Sequence, residues 1–237
     1  MQWFKKYLFL SLSLLCMCAY ATEPSLDNND TAESSVVLFK GDEKSADLKR
    51  EERITKTLQT QTPSLLQGES AFTGPKNSDV TLLTFFDYQC SHCKMMASVL
   101  DKLQGKNPSI KLVYKDFPIL GAHSSEAAKA ALAAQKQGKY NLFNHRLMQA
   151  DTLSTETILK IAQDAKLNMQ KFKQDLESDS INQQLERNIA LAQEFTVEST
   201  PSLLIVSNKS GSKPQAFFVT GNASLEGLQN LINRMQD

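Results

Sequence analysis

Charge of one sign, histidine and cysteine are what this chain has little of. Its 237 residues carry 26 basic and 26 acidic side chains, so no net field draws it to a polyanion. No Lys/Arg cluster stands out either. Without one, the counterion-release term that dominates nucleic-acid binding is missing, and no nucleic-acid partner is expected. Three histidines and four cysteines leave few ligands for a metal centre. Apolar runs are short as well: LFLSLSLLCMCA, near the N-terminus, falls well below the ~20 residues that cross a bilayer.

That stretch follows Lys5 and Lys6 and ends in Ala19-Tyr20-Ala21, the small-x-small pattern that signal peptidase accepts. Residues 1–21 therefore read as a cleaved secretory signal rather than a membrane anchor. A lipoprotein would need a small residue before Cys16 or Cys18, where Leu15 and Met17 stand. Removing the signal takes Cys16 and Cys18 with it. The mature chain keeps Cys90 and Cys93 alone.

Residues 22–40 are polar and without periodicity, as a mobile leader would be. Residues 42–62, DEKSADLKREERITKTLQTQT, hold many helix formers with a thin stripe of Leu48, Ile54 and Leu58. Such a helix is marginal alone, so it reads as a solvated linker or as half of a contact between chains. Pro63 ends this 22–62 extension, and a compact domain is expected over 63–237.

Within that domain, Val80–Phe86 is a short β-rich run that reads as a buried strand. After Cys90 the period changes: Cys93, Met96, Leu100 and Leu103 share one helical face, which Gly105 and Asn107-Pro108 close. A second strand follows over Ile110–Lys115. Strand, helix and strand in this order predict a parallel βαβ unit. Helices are expected across about 122–197, with Ser124 or Ser125 and then Ser154 as caps. Strands return at Ser202–Val206 and Gln215–Val219 around a turn at Asn208–Gly211, before a last helix from about Ser224 to Met235.

The chemistry sits in Cys90-Ser91-His92-Cys93. A disulfide across so short a loop removes little unfolded-chain entropy, which excludes a structural staple. A structural zinc site wants four ligands, and only His123 and His145 remain outside the motif, so no metal is expected. Electron transfer is left. At the first turn of a helix, Cys90 faces free N–H groups and the positive dipole end, which favour its thiolate. Cys93, one turn on, lies on the buried face. That makes Cys90 the attacking sulfur and Cys93 the resolving one, while a protonated His92 adds positive charge beside Cys90. A non-catalytic binding module would retain function in Cys90→Ala.

Taken together, FFDYQCSHCK, the YKDFPILG segment at 114–121, the helical insert and Glu198-Ser199-Thr200-Pro201-Ser202 resemble the DsbA-family thiol:disulfide oxidoreductases of the thioredoxin superfamily, over roughly residues 65–235. The resemblance implies an α/β thioredoxin fold with an inserted helical domain and an N-terminal helical extension. It implies a periplasmic location, Cys90 and Cys93 as the redox pair, and Pro201 as a cis-proline opposite them, whose neighbouring backbone at Thr200 holds substrate. No cofactor is implied, because the disulfide itself is the reagent. The implied partners are reduced or misoxidised exported proteins and a membrane redox partner.

Two positions depart from the family pattern. A buried Glu that often stands six residues before the first cysteine, as proton acceptor for the buried thiol, is replaced by Thr84. Asp87 and Lys115 read as solvated strand-end charges that substitute for it poorly. Thr200 before the proline resembles the dimeric isomerases rather than the monomeric oxidases. The expected function is disulfide introduction. The alternative is a dimeric isomerase, or a dual enzyme, that associates through 42–62.

Overall fold

The computed structural model describes residues 36–39, 53–54, 56–58, 70–207 and 216–236. The expected signal 1–21, the rest of 22–62, and the turn at Asn208–Gly211 lie outside the described residues.

Six strands form one mixed sheet: β1 Val36–Phe39, β2 Phe72–Thr73, β3 Val80–Phe86, β4 Lys111–Asp116, β5 Ser202–Ser207 and β6 Ala216–Thr220, in the order β1-β6-β5-β3-β4-β2. β3 and β4 run parallel, joined by helix α1 (Ser91–Lys106), as the βαβ reading requires. β5 pairs antiparallel with both β3 and β6. Every residue of β3 is buried, which explains its near-continuous apolar sequence: both faces of this central strand are covered. β1 was not anticipated. Val36–Phe39, inside the stretch read as a leader, pairs parallel with β6.

Alternation along the strands divides the core. On one face, Leu82, Leu112, Leu203 and Ile205 pack against Met96, Leu100 and Leu103 of α1 and against α7 (Leu225–Gln236). On the other, Leu83, Phe85, Leu204 and Phe218 pack with Leu191 and Phe195. Ile54 and Leu58 join this second cluster at 0% and 1% exposure. These two apolar positions of the N-terminal stretch are thus buried within their own chain. Each such side chain contributes about 1.5–3 kcal/mol by leaving water.

Five helices separate β4 from β5: α2 Ala122–Gln135, α3 Tyr140–Gln149, α4 Thr155–Asp164, α5 Met169–Leu176 and α6 Asp179–Glu194. α2 is nearly all alanine on its buried side, which lets its neighbours approach closely. Ser154 caps α4 by accepting the Thr157 N–H. The start of α2 differs from expectation, with Gly121 at the N-cap. Ser124 falls inside the first turn, where its hydroxyl is engaged elsewhere.

Candidate active site

α1 begins directly after Cys90, which adopts the extended conformation of an N-cap. Its sulfur does what a Ser or Thr oxygen does in that position, accepting the Cys93 N–H at 3.4 Å. The same sulfur donates to the Thr200 carbonyl at 3.3 Å, across 110 residues of sequence. The Cys90 N–H donates in turn to the Asp87 carbonyl at 3.2 Å. Both thiols are free, and they are 8% and 2% exposed for Cys90 and Cys93. Burial pushes the Cys93 thiol up to about 12, with a backbone hydrogen bond at Asp87 pulling the other way. Chemistry that uses Cys93 as a thiolate must therefore move its proton.

Opposite the pair, the Thr200–Pro201 peptide bond is cis and Pro201 is buried at the entrance of β5. The Pro201 carbonyl accepts the Gly221 N–H at 2.8 Å. Gly221 has φ +79°, a conformation that suits a residue without Cβ. Its neighbour Asn222 reaches back across the motif: Asn222 Nδ2 and His92 Nδ1 are 2.9 Å apart. One short loop therefore holds both the proline and the exposed histidine between the cysteines.

Asp87 corrects the reading from sequence. It is buried, not solvated, and all its acceptor capacity is used. Oδ2 accepts the Ile119 and Leu120 N–H groups at 2.8 and 2.9 Å, while Oδ1 accepts the Gln89 N–H and the Ser124 hydroxyl, each at 2.7 Å. Gln89, the residue before Cys90, also donates to Ser124 Oγ at 2.9 Å. Asp87 thus ties the end of β3 to the entrance of the helical insert. Lys115 is likewise buried: Nζ donates to Ser70 Oγ at 2.7 Å, and desolvation lowers it from 10.5 to about 8.

The buried trio Tyr88, Asp116 and Tyr140 escaped sequence reasoning. Tyr140 donates its hydroxyl to Asp116 Oδ2 at 2.9 Å. Burial raises the Asp116 carboxyl from 3.8 to about 6, with the Tyr140 and Tyr88 hydroxyls offsetting part of the rise. The only sequence cue was a charge adjoining Phe117-Pro118. Thr84, buried on β3, lines a cavity of about 330 Å³ shared with Cys93 and Pro201.

Residues 81–233 match the model of the DSBA-like thioredoxin domain. The chain belongs to that family. A thioredoxin-like oxidoreductase from Silicibacter pomeroyi DSS-3 is 32% identical, with 73% of this chain and 96% of that one covered at a TM-score of 0.65. The thiol-disulfide exchange protein alpha-DsbA2 of Wolbachia pipientis is 26% identical, over 79% of this chain and 98% of that one, at a TM-score of 0.67. Among curated proteins, the Na(+)/H(+) antiporter NhaA 3 of Salinispora tropica is 24% identical over 135 residues, or 56% of this chain. The chain spans only 21% of that relative's length. The DSBA-like fold it adopts is a thioredoxin sheet with a helical insert between β4 and β5.

Proposed function

We propose that this protein is a thiol:disulfide oxidoreductase of exported proteins, acting through Cys90 and Cys93. The observation that carries the reading is the placement of Cys90: an N-cap sulfur that accepts the Cys93 N–H and lies beside the cis-proline loop. In the oxidising direction, a substrate thiolate attacks Cys90 Sγ of the Cys90–Cys93 disulfide. Cys93 leaves as thiolate and takes a proton. A second substrate thiolate then attacks the substrate sulfur of the mixed disulfide, expelling Cys90 as a thiolate that the helix N-terminus stabilises. The substrate gains a disulfide, the protein gains two thiols, and a membrane redox partner restores its disulfide.

In this reading Thr200 and Pro201 hold the substrate backbone and His92 stabilises the Cys90 thiolate when protonated. Residues 1–21 direct the chain to the periplasm. The test is stoichiometric oxidation of a reduced multi-thiol protein by the disulfide form. Cys90→Ser, which cannot form the disulfide, should abolish it, and Cys93→Ala should accumulate a mixed disulfide on Cys90 when it is given a protein that already carries disulfides. A reduction potential as low as that of cytosolic thioredoxin, ~−270 mV, would overturn the oxidase direction.

A dimeric isomerase, or a dual enzyme, is the second reading, favoured by Thr200 before the proline. Because Ile54 and Leu58 are buried within the chain, association through 42–62 would have to use other positions. Light scattering across a range of concentrations of the intact protein tests the dimer. Recovery of a scrambled multi-disulfide protein tests isomerisation.

A further inference from the structure

Cys93 poses a problem of proton traffic. It is buried, and its thiol is held protonated by desolvation. Yet Thr84 stands where relatives often carry a carboxyl to take that proton, and a threonine hydroxyl has no net capacity for one. The two charged residues weighed from the sequence as substitutes are buried and otherwise engaged. Asp87 already accepts four hydrogen bonds, and Lys115 is held by Ser70.

The cavity beside Cys93 offers another route. Between α1 and α3, Cys93 and Thr84 share its wall with Asn144, His145 and Asp101. Asn144 is 8% exposed, and its Oδ1 is fully buried without a hydrogen-bond partner among the described residues. Buried acceptors of this kind are ordinarily satisfied, here most simply by water. A volume of about 330 Å³ holds several waters at ~30 Å³ each, and the apolar walls at Phe86, Met96 and Leu100 confine them to the polar side. At the open edge, His145 Nδ1 lies 3.7 Å from Asp101 Oδ2, with both side chains more than half exposed.

We infer that Cys93 exchanges its proton with solvent through this cavity, by water positioned on Asn144 and passed to His145 beside Asp101, in place of a buried carboxyl. The inference rests on the proposed Cys90/Cys93 exchange. In the resolving step, the Cys93 S–H proton moves to a cavity water, the Cys93 Sγ–Cys90 Sγ bond forms, and the Cys90 sulfur–substrate sulfur bond breaks. The substrate thiolate departs and is protonated by bulk water. Electrons and protons balance with no further reagent.

The experiment follows both steps of the reaction between the reduced full-length protein and oxidised glutathione. Step one is formation of the mixed disulfide on Cys90, and step two is release of glutathione by Cys93. His145→Leu and Asn144→Leu should slow step two by about a hundredfold, the low end for loss of a positioned proton-transfer group, and leave step one within about twofold. Thr84→Glu, which restores a carboxyl beside Cys93, should recover step two in the Asn144→Leu background. His145 is on the surface, so its variant tests the route without disturbing the core. Unchanged step two in both variants, or slowing that Thr84→Glu does not recover, overturns the proton route. Failure of the parent protein to form any mixed disulfide on Cys90 overturns the redox reading beneath it.

Discussion

His92 Nδ1 lies 2.9 Å from the side-chain amide of Asn222, 130 residues away in sequence. An asparagine amide can donate to a neutral imidazole or turn its oxygen toward a protonated one, so it holds the ring in either charge state. In the proposed exchange, removing the ring removes a group that can carry positive charge beside Cys90. His92→Ala should therefore make the Cys90/Cys93 couple more reducing by ~30 mV or more, a tenfold change in its equilibrium with glutathione. Asn222→Ala should shift the couple the same way by less. It should do nothing further in the His92→Ala background. A full-sized Asn222→Ala shift in that background would show that Asn222 acts by another path.

Asp87 links three segments with one carboxylate. Asp87→Ala strands several buried donors at once and should cost at least ~3 kcal/mol of stability in urea unfolding. Asp87→Asn keeps one accepting oxygen but turns an NH2 toward donors, and should fall between the two. An Asp87→Ala protein as stable as the parent would mean that the insert docks without this clamp.

Asp116 predicts a pH dependence. Its folded value near 6 lies above the ordinary 3.8, so the folded state binds the extra proton between these limits. Its stabilising contribution is full below about pH 4 and is lost as pH rises through 6, amounting to about 3 kcal/mol. Asp116→Asn can still accept from Tyr140. It should be more stable than the parent at pH 8 and match it near pH 4. Urea midpoints that run parallel across this range would contradict the assignment.

Ile54→Ala should cost about 2–4 kcal/mol through a cavity beside Leu83, Phe85 and Phe195. The loss should not depend on protein concentration, because the contact lies within one chain. A midpoint that moves with concentration would place Ile54 between chains instead.

Period alone located β3, α1 and β4, because each keeps a local pattern: a buried apolar run, then Cys93, Met96, Leu100 and Leu103 on one face, then a second run. The Cys90–Cys93 spacing that the proposed redox chemistry uses is likewise a local feature, one helical turn long. What sequence did not reveal depends on distant partners. Asp87 and Lys115 look like solvated strand ends until other segments, the entrance of the helical insert and Ser70, close over them. Asn222 and Asn144 are ordinary polar residues in sequence and matter only through what folding brings beside them. Four residues of β1 amid polar neighbours are too few to announce a strand whose partner is at the other end of the chain.

That last pairing sets an order of events. Val36 aligns with Ala216, so the first strand of the sheet cannot find its partner until some 180 further residues are available. A chain threaded N-terminus first must therefore carry this segment unpaired while the rest emerges, a loop closure that favours late docking. The earliest strand to appear is thus held back until the last strand of the sheet is available to receive it.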